Sequence, residues 1–581
     1  MERRRKMDSV GSPSAGYSLI RATAIFLFLL CCPIPGTGRD SPANDRLVSR
    51  AQQLLAEERW QEIVVLMQAI PSPSAEIDFY YGTALAHLGR WEDARKAFQA
   101  GSRLQPKDKR FRLELAGVAF KQKHYPEAVI YLRRALELAP DDSYANDFLG
   151  TVYFLQSNLE AALKYWNRAG KPQIATVKVD PTPQADPVLV DRAFAFSPAS
   201  TLQLPHLLTT ETRVQGLGIF PSYQFDLQAR EDGKFDVLFR NQERNGWGRN
   251  KWEGLFMFLR GLPFQSVHPE FYNLGNEAIN VVSILRWDAE KRRVAATLSG
   301  PFRRNPKFRY GVSADLRSEN WDIRSSPSGP VPLLGSLNLR REALEAEFTS
   351  FVSGRWQWST GAELSHRDFR SVIPSVALTP SLLTKGYQLK QLTQVDVEMW
   401  RIPERRMTVS AGISSQAGRI WSEPGYCFEK LQGSLRFHWF PRAEGDDYEI
   451  QHQIRGGKTF GDVPFDELFM LGLERDNDLW MRGHIATHNG RKGSAPLGRS
   501  YFLSNWEADK NVYHNGLLTV KVGPFLDTGK ITDSSPGLGS HQFLWDVGAQ
   551  AKARLFGVGA VLSYGKDLRS GNNAWFVSLL R

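Results

Sequence analysis

Apolar positions change their period twice along this chain. From about Asn44 to Gly170 they recur at helical spacing, and from about Leu274 to Arg581 they alternate with polar ones. The helical stretch also repeats with a period of 34. Pro106 and Pro140 close two repeats; Gly82, Ala116 and Gly150 share one repeat position; Ala94, Ala128 and Ala162 share another; Phe98, Leu132 and Trp166 share a third. The alternating stretch predicts short strands. These are Ala278 to Trp287 as the first of the series, then Arg292 to Phe302, Phe308 to Arg317, Trp356 to Leu364, Gln388 to Met399, Met407 to Ser414, Leu431 to Trp439 and Tyr448 to Arg455. Five more follow at Ser500 to Ala508, Gly516 to Asp527, Phe543 to Gln550, Ala553 to Tyr564 and Asn573 to Leu580. Leu334 to Ser353 is ambiguous.

Between the two regimes, Pro172, Pro181, Pro183 and Pro187 mark residues 171–190 as a linker. Residues 191–245 then read strand, helix, strand, strand. Arg192 to Phe196 is expected as a strand and Leu207 to Gly218 as a helix. Tyr223 to Ala229 and Phe235 to Arg240 flank the turn signal Glu231-Asp232-Gly233.

Small residues let paired helices approach and large ones fill the space between repeats, so residues 44–170 carry the tetratricopeptide signature. Such solenoids offer a surface to partners, and Tyr81, Leu85, Leu115 and Tyr153 are the expected contact residues. Strands of roughly ten residues separated by turns are the pattern of a membrane β-barrel; a soluble sandwich or propeller is the rival. The fold expected is therefore multidomain: a helical solenoid, one small α+β module, and an antiparallel barrel of about 16 strands over residues 274–581.

Composition changes this picture little. A mean hydropathy of −0.36 fits a soluble protein or a barrel. No stretch after Pro35 holds the ~20 apolar residues a membrane helix needs. Residues 1–38 read as a secretory signal, with Arg3, Arg4, Arg5 and Lys6 ahead of the short apolar run Ala24 to Cys32. Cys31 and Cys32 would leave with it or carry a lipid anchor, and Cys427 stays alone, so no disulfide framework is available. The formal charge of +11 is spread among acids, and no nucleic-acid partner is expected. No hydrolase elbow, zinc-helix or phosphate loop is present. The chain is read as no enzyme, with no cofactor; His484 and His488 lie in a loop and are not read as a metal site.

One cluster of motifs carries the chemistry. Leu479-Trp480-Met481-Arg482-Gly483-His484 is followed by Asn505-Trp506-Glu507 and by Phe525-Leu526-Asp527-Thr528-Gly529, and it is preceded by Pro464-Phe465-Asp466-Glu467. An arginine confined among strands needs acids, and Glu507 and Asp527 stand on the next two strands. The set resembles the BamA/TamA-type outer-membrane barrel superfamily, the bacterial surface antigen family. The resemblance implies a lumenal lock of Arg482, Gly483, Glu507, Asp527 and Gly529, with His484 in place of the usual aromatic. It also implies that the segment Thr212 to Phe220 ends a polypeptide-transport-associated (POTRA) module, and that five of sixteen strands follow the lock. The function it implies is insertion or translocation of proteins at the outer membrane, with lipid around the barrel and periplasmic or client proteins on the repeats. A polymer exporter or a surface-lipoprotein translocator is the alternative.

Overall fold

The structure, a computed structural model, describes residues 42–68, 74–324, 332–373, 375, 377–422, 425–442, 447–515, 518–535, 537–540, 542–555 and 558–580. The expected signal segment, 1–38, lies outside the described residues. Contacts group the chain into two compact units. Among the described residues, one spans 42–178 with 198–202 and 226–238, and the other 179–197, 203–225 and 239–580.

The first unit is dominated by eight helices in antiparallel pairs: α1 (Pro42–Ala56), α2 (Trp60–Gln68), α3 (Ala75–His87), α4 (Trp91–Leu104), α5 (Lys109–Lys121), α6 (Tyr125–Leu138), α7 (Ser143–Leu155) and α8 (Leu159–Trp166). The repeat positions explain the pairing. A Cβ on Gly82 would meet the Phe98 ring at 2.6 Å, and one on Gly150 would meet Trp166 at 2.4 Å. Asp108, Asp142 and Asn158 cap α5, α7 and α8 by accepting backbone N–H bonds.

Residues 171–190 are not a plain linker. They hold strand β1 (Ile174–Asp180) and the start of α9 (Pro187–Ala193). Ile174 to Val179 alternates, and Pro172 and Pro181 bracket the strand rather than break it. Arg192 and Ala193 are helical, not extended, because Asp186 caps α9 by accepting from the Val188 N–H at 2.9 Å. Helix α10 (Leu204–Leu217) and strands β2 (Ser222–Ala229) and β3 (Phe235–Gln242) complete a three-stranded sheet of order β1-β3-β2.

The barrel begins after helix α11 (Lys251–Leu259). Its first strand is broken in two, β4 (Ser266–Val267) and β5 (Glu270–Leu274), both against β6 (Ile279–Arg286). The wall continues through β7 (Lys291–Phe302), β8 (Asn305–Arg324), β9 (Leu333–Ser350), β10 (Trp356–Ile373), β11 (Gly386–Ile402), β12 (Met407–Trp421), β13 (Tyr426–Trp439) and β14 (Tyr448–Gly461). A long loop, residues 462–499, carries the two-residue strands β15 (Phe469–Met470), β16 (Thr487–His488), β17 (Arg491–Lys492) and β18 (Leu497–Gly498). The wall closes through β19 (Ser500–His514), β20 (Leu518–Thr532), β21 (Leu544–Leu555), β22 (Val558–Asp567) and β23 (Asn573–Leu580).

Counting β4 and β5 together, ten described strands precede the loop and five follow it. The expected strand Ala553 to Tyr564 is instead a hairpin, with Ala553 opposite Ala560. The expected first strand, Ala278 to Trp287, is an inner one. It is β4 that meets β23. Every other neighbouring pair in the wall is antiparallel, so this odd series leaves β4 and β23 running the same way. Strand β4 is two residues long, whereas β22 and β23 are paired over eight positions.

The wall is apolar outside and polar inside. Leu344, Leu364 and Leu389 stand opposite one another on adjacent strands and are 46–55% exposed. One residue back, Glu363 faces Lys390, and both are buried. Alternation of this sense belongs to a barrel with an apolar solvent around it. Helix α10 docks on the turn after β9. Arg213 donates to the Phe351 and Val352 carbonyls at 3.3 and 3.2 Å, and Arg309 donates to the Gly216 carbonyl at 2.9 Å.

Candidate functional site: the lumenal loop

The loop at 462–499 folds inward and fills the lumen. Its apolar residues pack on two sides. Phe465, Leu468, Met470, Ala486 and Leu497 join wall residues Trp321, Ile323, Leu339 and Phe369; Phe469, Leu471, Leu479 and Met481 join Leu503, Ile531 and Leu544. Between these clusters the loop meets the charged wall at several stations among the described residues, three of which carry the densest contacts.

At the first, Arg482 is 2% exposed. It grips Asp527 with both edges of its fork, Nε donating to Oδ2 at 2.8 Å and Nη2 to Oδ1 at 2.6 Å. Its backbone N–H donates to the same carboxylate at 3.0 Å. Nη1 donates to Glu507 Oε1 at 2.6 Å and to Gln550 Oε1 at 2.8 Å. The guanidinium lies 3.8 Å from the Phe525 ring centre. This bidentate, stacked geometry is one that lysine cannot copy. Asn505 donates to Asp527 Oδ1 at 2.7 Å and to the Trp480 carbonyl at 2.9 Å. The structure thus brings Arg482, Glu507 and Asp527 together.

The two glycines expected here are needed for close approach. A Cβ on Gly483 would meet Asp546 Oδ1 at 2.6 Å, and one on Gly529 would press on Leu471 and Met481 at 3.1 Å. Gly565, on β22, is tighter: its Cβ would lie 2.0 Å from the Arg482 carbonyl oxygen.

Two further stations escaped the sequence reading. Asp466 and Glu467 sit in a basic nest, with Arg367 3.2 Å from Asp466 and Lys390 donating to Glu467 at 3.0 Å. Asp476 accepts from Arg286 and Arg293, both at 2.7 Å, and Glu474 accepts from Lys291 at 3.1 Å. Their partners lie on β6, β7, β10 and β11, some 70 to 190 residues away in sequence. Motif reading could not pair them; the only signal was an acidic pair in the loop facing basic strands. The loop is therefore held from opposite sides of the wall.

The expected partner residues of the repeats divide. Leu85, Leu115 and Tyr153 are core residues at 0, 2 and 5% exposure, so they cannot line a contact face. They carry the inner side of the helix pairs, where apolar burial is satisfied within the solenoid. Only Tyr81 reaches the surface, accepting from Gln68 at 3.0 Å.

A closed antiparallel wall with an inward loop, preceded by paired helices, defines the class of this chain. A family model described as tetratricopeptide repeat matches residues 82–143. No curated protein sequence matches the chain. Among solved structures it is similar to BamA from Haemophilus ducreyi lacking POTRA domains 1-3, at 10% identity over 70% of this chain and 84% of that one, with a TM-score of 0.39. CdiB from Escherichia coli is similar at 13% identity over 70% and 75%, with a TM-score of 0.43. MamA is similar over 22% of this chain and 70% of its own, at 16% identity and a TM-score of 0.21.

Proposed function

We propose that this chain is an outer-membrane β-barrel protein that inserts or translocates proteins, with helical repeats in the periplasm recruiting a partner or client. The β1–α9–α10–β2–β3 order supports reading the small sheet as a POTRA-like module. The outward leucine rows support a lipid surround. The observation that carries the reading is the way the wall closes. The lumen is filled by a loop pinned at several ionic stations, while the seam rests on a two-residue strand. A strand edge so weakly paired can open and template an incoming strand by backbone hydrogen bonds. A polymer exporter would instead have to unseat the loop.

Two experiments test this. The mature protein should fractionate with the outer membrane and migrate faster on a gel when unheated; recovery in the cytosol or inner membrane would remove the reading. Next, in a Cys427→Ser background, cysteines placed at Ser266 or Val267 and scanned along Asn573–Ser578 should give one seam disulfide. With the bond verified, activity should stop while the barrel stays folded. Full activity with the staple formed would favour polymer export.

A further inference from the structure

We infer that helix α11 is a lipid-binding surface, with its face Trp252, Leu255, Phe256 and Leu259 sunk in the acyl chains of the membrane beside the seam. The inference rests on the reading of the barrel as a membrane wall. At 3.6 residues per turn these four side chains fall on one side of the helix. Trp252, Leu255 and Phe256 are 78, 46 and 44% exposed.

The opposite side holds charge. Glu253 is fully buried, and its carboxylate accepts from Arg244 Nε at 3.1 Å and from Arg249 Nε at 2.7 Å. Met257, also on that side, is buried against Tyr272. A carboxylate inside and a tryptophan outside reverse the pattern that water selects on a helix. The wall shows the same reversal, with Glu363 and Lys390 buried and Leu364 exposed. Helix α11 is therefore patterned for the solvent that the wall faces.

Backbone contacts hold the helix alongside the wall. The Pro269 carbonyl accepts from Ser283 on β6, so residues 268 and 272 turn their backbone groups to the opposite edge. On that edge Tyr272 exchanges both backbone hydrogen bonds with Gly246, at 2.7 and 2.9 Å. The His268 N–H donates to the Phe258 carbonyl at 3.0 Å. The segment from 246 to 258 thus runs along the first strand on the side away from β6, which is the side where β4 meets β23.

Its apolar residues continue the outer surface of the wall. Arg286 reaches Asp476 in the lumen, so Val281 and Leu285 point outward. Phe271 stands opposite Val281. The Trp247 ring meets Phe271 edge-on with centres 5.1 Å apart, and lies 6.0 Å from Phe258. A helix satisfies its own backbone groups, so this face offers an incoming strand no ladder to join. Hydrocarbon is the occupant that matches it, and Trp, Phe and Leu on one helix face are the residues that enter acyl chains.

The test is photo-crosslinking of the unmutated full chain, refolded in phosphatidylcholine vesicles doped with a phosphatidylcholine carrying a diazirine on one acyl chain. Trypsin cuts after Lys251, Arg260, Arg355 and Arg367. Peptide Trp252–Arg260 therefore reports the helix, and peptide Trp356–Arg367, which holds Leu364, reports the wall. Both should carry lipid adducts. Adducts on the wall peptide alone would overturn the lipid face of α11; absence from both would overturn the membrane wall and this inference with it. A second readout places bimane at Phe256→Cys in a Cys31→Ser, Cys32→Ser, Cys427→Ser chain whose folding is confirmed by unheated gel migration. Acyl-chain nitroxide lipid should quench it as strongly as a label at Leu364→Cys, and aqueous iodide should not. Iodide quenching would put the face in water, and resistance to both quenchers would put protein against it; either result overturns the inference.

Discussion

The solenoid and the barrel bury opposite things. In the repeats, Phe98, Phe111, Leu132 and Trp166 are inside and charge is outside. In the barrel, Arg367, Lys390, Glu467, Arg482 and Asp527 are inside, while Ile413, Trp400 and Trp575 are 60–67% exposed. The first arrangement follows from removing apolar area from water. The second needs apolar surroundings and an interior in which each charge finds a partner. Stability in the solenoid therefore depends on shape, and in the barrel on charge matching.

The strongest test of that contrast is Arg482→Ala. Losing one member of a buried pair costs ~3–5 kcal/mol, and here Asp527 and Glu507 are both left without it. The temperature at which gel migration shifts should fall clearly, with a smaller drop for Arg482→Lys. A double-mutant cycle between Arg482 and Asp527 should give a coupling above the ~0.2–1 kcal/mol of exposed pairs; strict additivity would deny the contact. In the solenoid the equivalent damage is steric. Gly150→Val should cost ~1–3 kcal/mol by overpacking against Trp166, read as earlier loss of helical dichroism with the barrel's gel shift unchanged.

Smaller effects belong to solenoid charges. Arg110 holds Asp108 Oδ2 at 2.8 Å and also pairs with Glu76, yet it is 40% exposed. Arg110→Ala should therefore cost no more than ~1 kcal/mol and less at high salt. Glu114, half-buried on α5, has its carboxyl pushed up to about 7 by burial. A raised carboxylate pKa means the folded state holds the proton longer, so helix stability should fall as pH rises from about 4.5 through about 7. Glu114→Gln should flatten that slope; an unchanged slope would place the titrating group elsewhere.

The same contrast explains what could be read in advance. Repeats were legible because their contacts are local and recur every 34 residues. Strand existence was legible from alternation, but not the hairpin at Ala553–Ala560, because that stretch holds no Asn-Gly or Asp-Gly turn signal. Strand β1 was hidden by the prolines at its ends. At the site, Arg482, Glu507 and Asp527 came from motifs. His484's partners, Asp546 and Asp567, did not, although Asp527, Asp546 and Asp567 recur at about one strand-and-turn length, and residues 482 and 484 present side chains two apart to that row. The stations at Asp466 and Asp476 depend on which strands the closed wall carries to the far side of the loop, and no local pattern encodes that.

The parity of the wall has a consequence for rewiring the chain. Because β4 and β23 are neighbours in a wall whose other pairs are all antiparallel, they run the same way. Joining the two ends to make a circular permutant could not use a tight turn. Parallel neighbours need a crossover of a dozen or more residues. A permutant opened at any hairpin and closed by such a crossover should still assemble, whereas one closed by a short linker should not.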